Sequence, residues 1–147
     1  MGRGDGRVNG AAKRRKARLE SYRMKKPDIR VTVATRYLPD QSEPAAGRHA
    51  FAYTITLVNA GSVAAQLISR HWIIEDGDGQ RHEVKGLGVV GQQPLLQPGE
   101  RFEYTSGTPL RTATGTMQGS YFFVTEDGER FEVPVEPFAL VMPRVLH

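Results

Sequence analysis

The chain has 147 residues with 20 Lys/Arg, 16 Asp/Glu and no cysteine. That length suits one domain with a core of ordinary size. The missing cysteines exclude disulfides, thiol nucleophiles, thiolate zinc sites and iron–sulfur clusters, while no run of about 18 apolar residues predicts membrane insertion.

The formal net charge of +4 is unevenly spread. Residues 1–26 hold ten Lys/Arg against two acids, a net +8; residues 27–147 hold ten basic against fourteen acidic side chains, a net −4. The opening Met1-Gly-Arg-Gly-Asp-Gly-Arg has no apolar h-region, so a secretory signal is not expected. Four glycines and a run of like-charged helix formers to Lys26 predict a basic, disordered extension over 1–26, with Met24 a natural first residue of the domain. Because the basic charge belongs to this extension, specific nucleic-acid binding is not expected of the domain. The expected location is the cytoplasm.

From residue 27 onward the pattern is strand after strand. Ile29, Val31, Val33, Thr35 and Tyr37 alternate with polar or small residues, the period of a half-buried strand. Two prolines at 39 and 44 break it; Phe51, Tyr53, Ile55 and Leu57 resume it, and Asn59-Ala60-Gly61-Ser62 ends it in a turn. Gln66 to Glu75 is a third strand, with Ile68, Arg70, Trp72 and Ile74 expected on one face and Leu67, Ser69, His71 and Ile73 on the other. Asp76-Gly77-Asp78-Gly79 is a hairpin signal returning a short strand, His82 to Lys85. Further strands are read over 101–106, 115–125 and 130–136, with a final extended piece at 138–141. Seven to eight short strands between Gly/Pro/Asp turns predict an all-β fold, an antiparallel β-sandwich of immunoglobulin-like or fibronectin type III-like form.

Catalytic templates find little to hold. Ser106 follows Tyr104-Thr105 and is not in a G-x-S-x-G elbow. His49, His71, His82 and His147 have no metal-ligand spacing. The Asp76 hairpin fails as a calcium loop, since Gln80, Arg81 and Leu87 stand where its fifth, sixth and twelfth positions would be; it retains only a weak attraction for hydrated Mg²⁺. An enzyme is therefore not expected, nor a bound cofactor or resident metal.

Gly86-Leu-Gly-Val-Val-Gly91 matches the dinucleotide fingerprint G-x-G-x-x-G, which works by opening a helix onto a pyrophosphate. Pro94 and Pro98 forbid that helix. The segment is instead read as a glycine-rich loop joining two strands, and as the best candidate binding surface: Gly86, Gly88, Gly91 and Pro94, bordered by His71. Trp72 is expected in the core.

Seven stretches in order together resemble the ApaG (CorD) family: Tyr37–Ser42, Phe51–Ile55, Gln66–Trp72, Gly86–Pro94, Pro98–Glu100, Tyr104–Gly107 and Met117–Tyr121. The resemblance spans 27–147. It implies a fibronectin type III-like sandwich, a bacterial role in cobalt resistance and magnesium efflux, and use as a protein-interaction module; it supplies no catalytic residues. The expectation is thus a non-enzymatic docking domain with an unidentified protein partner. Three alternatives stay open: nucleotide or dinucleoside-polyphosphate binding by the glycine loop, weak Mg²⁺ or Co²⁺ binding, and a homodimer formed through an edge strand.

Overall fold

The computed structural model describes residues 10–15 and 26–144. Residues 10–15 form a short helical segment; residues 1–9 and 16–25 of the expected basic extension lie outside the described residues. Eight strands follow: β1 Ile29–Tyr37, β2 His49–Asn59, β3 Ala65–Asp76, β4 Arg81–Leu87, β5 Leu95–Leu96, β6 Arg101–Leu110, β7 Thr114–Thr125 and β8 Arg130–Val141. Two 3-10 turns, Pro39–Gln41 and Pro44–Ala46, occupy the proline-broken stretch between β1 and β2. No helix among the described residues is long and apolar enough to cross a membrane.

The strands form two antiparallel sheets, one ordered β1-β2-β6 and the other β4-β3-β7-β8, with β5 pairing β3 beside β4. This is the sandwich expected from the alternation, because each strand has one apolar face to bury against the opposite sheet. β1 lies against β8 along one flank. The fourth strand is longer than the sequence suggests, Arg81 to Leu87 rather than His82 to Lys85, and the two terminal pieces merge into one β8.

The face expected for β3 is corrected by a bulge. Leu67 is fully buried, yet so are Trp72 and Ile74, which strict alternation puts on the opposite face. The register against β7 shifts between Leu67 and Ser69, and that extra residue turns the chain by half a period. Leu67 thereby joins the core, while Ser69 and His71 stay on the outer face.

Trp72 sits at the centre of the core, edge-on to Tyr121 and Tyr53 at 5.7 Å and to Phe138 at 6.0 Å. The Tyr104 and Tyr121 hydroxyls meet across the two sheets at 2.5 Å, both buried. Asn59, fully buried, donates to the Val63 and Leu96 carbonyls at 2.9 Å each and accepts from the Gly61 amide at 2.9 Å. One side chain thus satisfies three backbone groups and ties the β2–β3 turn to β5.

Candidate functional site: the glycine hairpin and the β3–β4 face

The G-x-G-x-x-G segment divides into a strand end and a tight hairpin. Gly86 and Leu87 belong to β4, with Gly86 opposite Arg70 and Leu87 opposite Ser69. A Cβ on Gly86 would lie 2.9 Å from Arg70 Nη1 and 3.0 Å from its Cζ, so the glycine makes room for the guanidinium. Across that gap Arg70 Nη1 donates to the Leu87 carbonyl at 3.1 Å and the Gly88 carbonyl at 2.7 Å. Arg70 therefore anchors the end of β4 and the start of the loop with charge-assisted bonds.

Val89 and Gln92 then exchange two backbone hydrogen bonds, 2.8 and 2.9 Å, around the two-residue tip Val90-Gly91. Both tip residues have positive φ, 43° at Val90 and 78° at Gly91, as a type I′ turn requires. Val90 is the only non-glycine with positive φ among the described residues, and a β-branched side chain there is strained. Gly88 also has a positive φ, 66°, and an added Cβ would meet the Gln92 carbonyl oxygen at 2.4 Å. Releasing the Val90 strain gives a direct test: Val90→Asn should raise unfolding stability by about 1 kcal/mol. A loss of stability in urea melts would instead show that the isopropyl group is held by contacts that outweigh its backbone cost.

No helix follows. Pro94 offers its carbonyl to the Leu67 amide at 3.0 Å and delivers the chain into β5. The amides of Gly88, Val89 and Gln92 are committed to the Ile68, Gln92 and Val89 carbonyls respectively. Gln93 Nε2 donates to the Ile68 carbonyl at 2.9 Å and Gln66 Nε2 to the Gln93 carbonyl at 3.1 Å, pinning the loop to β3.

This construction leaves apolar side chains outside. Leu87 is 75 % exposed, Val90 55 % and Leu95 52 %, while Val89 between them is buried. The adjoining outer face of the larger sheet holds a shallow groove of about 460 Å³, lined among others by Ser69, His71, Lys85, Phe122 and Glu132. His71 is half-buried on that face; its Nε2 lies 3.6 Å from Glu83 Oε1 and makes no hydrogen bond.

Comparison with known proteins now decides the family. The ApaG domain model matches residues 39–125. The chain is 62 % identical over 123 residues to Protein ApaG of Thiobacillus denitrificans, covering 84 % of this chain and 97 % of that protein. The chain belongs to the ApaG family. Protein ApaG of Ralstonia nicotianae is 59 % identical over 124 residues, covering 84 % of this chain and all of its own. The crystal structure of an ApaA protein from Bordetella pertussis superposes with a TM-score of 0.80 at 57 % identity, covering 83 % of this chain and 99 % of that one.

In this ApaG domain the residues singled out from sequence converge on one end of the β3–β4 pair. Gly86, Gly88, Gly91 and Pro94 shape the hairpin, and His71 lies one register step along the neighbouring strand, opposite Lys85. Sequence reasoning missed Arg70 and the exposed trio Leu87, Val90 and Leu95. A signal for Arg70 existed: a long cation in a strand facing a glycine across the ladder. It was invisible without the register.

The acidic hairpin does structural work. Asp76, buried, accepts the Asp78 and Gln80 amides on Oδ1 at 2.9 and 3.0 Å, and Glu75 bonds Arg81 Nε at 3.0 Å. Among the described residues no three His, Asp or Glu side chains are grouped to hold a metal ion.

Proposed function

We propose that this ApaG domain is a non-enzymatic docking module acting in divalent-cation homeostasis, with the glycine-hairpin tip as its contact surface. The observation that carries the reading is the exposure of Leu87, Val90 and Leu95 around a rigid turn. Exposed apolar side chains of this size cost solubility, a cost that is removed when a partner covers them. Arg70 and the Gln66/Gln93 bonds keep the surface preformed, which lowers the ordering cost of binding. Nucleotide binding through loop amides has weaker support, because three of the amides that would make an anion nest already serve the hairpin.

The test needs substitutions that leave the hairpin intact. Aspartate at Gly88 would break the turn itself, so the surface is altered instead at Leu87 and Leu95. In a bacterial strain lacking its own ApaG gene, the wild-type chain should restore cobalt tolerance and the Leu87→Glu/Leu95→Glu variant should not, at equal soluble expression. Full restoration by the variant would sink the proposal.

A further inference from the structure

The sandwich has four strand edges, and β4 stands apart from the other three. β8 carries Pro134 and Pro137 and lies beside β1, so that flank is interrupted and partly covered. β6 carries Gly107 and Pro109 close to its end at Leu110. β4 has seven residues without proline, all exposed except the half-buried Gly86, and its only strand partner is β3.

The two ends of β4 establish which backbone groups are free. The Gln80 carbonyl accepts the Asp76 amide at 3.0 Å, and the Gly88 amide donates to the Ile68 carbonyl at 2.8 Å. Even-numbered residues therefore face β3 throughout, by the alternation of an antiparallel ladder. The N–H and C=O groups of Arg81, Glu83, Lys85 and Leu87 point away from the sheet, and Arg70 caps one of them, the Leu87 carbonyl. The same odd residues put the side-chain sequence Arg81, Glu83, Lys85 on the outer face.

From this geometry we infer that β4 pairs antiparallel with β4 of a second copy of the chain about a two-fold axis through Val84. In that register Glu83 lies opposite the second copy's Lys85, twice by symmetry, and each pair exchanges two outward backbone bonds. Arg81 lies opposite Leu87, and Val84 packs on its own symmetry mate. A two-fold axis at Glu83 instead opposes Glu83 to itself and Arg81 to Lys85; an axis at Lys85 opposes Lys85 to itself. Like charges directly opposite are destabilising, so the charge order selects the Val84 register. Lys85 makes no ion pair among the described residues, and Glu83 has only the long contact to His71. Charges that discourage random edge pairing thereby specify one self-complementary partner. The joined sheet runs continuously through both molecules.

Leu87 belongs both to the pairing strand and to the apolar tip, so the test alters only Glu83 and Lys85 and leaves Leu87, Val90 and Leu95 in place. Sedimentation of the full chain from about 10 µM to about 1 mM should show a reversible dimer, the range suited to a small polar interface. Lys85→Glu alone and Glu83→Lys alone should each weaken it at least about tenfold, and the Glu83→Lys/Lys85→Glu double exchange should restore it. Amide hydrogen exchange reads the register independently: protection of the Glu83 and Lys85 amides should rise with concentration, while Val84 is protected throughout by β3. A monomer over the whole range, a dimer indifferent to both single reversals, or concentration-dependent protection at β1, β6 or β8 in place of β4 would overturn it.

Discussion

Gly119→Ala should cost about 3 kcal/mol of folding stability, lowering Tm by roughly 10 °C. Gly119 pairs with Trp72 across the β3–β7 ladder, beside the register shift between Met117 and Gly119. A Cβ there would lie 2.0 Å from the His71 carbonyl oxygen and 2.9 Å from Trp72 Cε3. The first neighbour is backbone inside a ladder and the second is a ring packed among Tyr53, Tyr121 and Phe138, so neither yields without moving the sheet. Gly128→Ala is the control: its φ of 85° is unfavourable, but nothing stands within 4 Å, and the expected cost is about 1 kcal/mol. Thermal melts of the two variants separate lack of space from backbone strain. A Gly119 variant melting within about 2 °C of the parent would refute the close approach of β7 to His71.

The Tyr104–Tyr121 pair should behave as a unit, with Tyr121→Phe costing about 1–3 kcal/mol and the double exchange to phenylalanine recovering most of that loss. Removing one hydroxyl leaves the other buried without its partner; removing both leaves an apolar contact between the sheets. The pair should also make the stability of the fold fall at alkaline pH. Burial raises the Tyr104 hydroxyl from 10.0 to about 12, against the lowering effect of its bond to Tyr121. Burial raises Tyr121 as well, and there the neighbouring Tyr104 adds to the rise. The folded state thus favours the protonated phenols. Their contribution is complete below pH 10 and is lost as pH climbs from about 10 toward 12, roughly 2–3 kcal/mol for Tyr104 alone. Urea melts at pH 8 and pH 11 measure this, and the doubly substituted protein should show the smaller drop. An equal drop in both proteins would assign the alkaline loss to other groups.

Much of the architecture was legible because the physics behind it is local. Alternation in Ile29 to Tyr37 and Phe51 to Leu57 required strands with one buried face, and Pro94 and Pro98 denied a helix after the glycines whatever their tertiary setting. The ordered stretches from Tyr37 to Tyr121 carried the ApaG resemblance, and the comparisons bear it out. The β3 faces could not be read in the same way. A bulge inserts one residue without a compositional mark, and whether it forms depends on the register with β7, more than 40 residues away in the chain.

The candidate site divides along the same line. Backbone freedom and the missing proline N–H are properties of single residues, so Gly86 to Pro94 could be read from the chain as a non-helical connection within a β-sandwich. That Arg70 bridges Gly86 to hold the Leu87 and Gly88 carbonyls, that Leu87, Val90 and Leu95 remain outside, and that β4 is an open edge emerge from the packed strands alone. Those outcomes depend on which strands become neighbours, a choice made by burying both apolar faces together rather than by any one segment's preference.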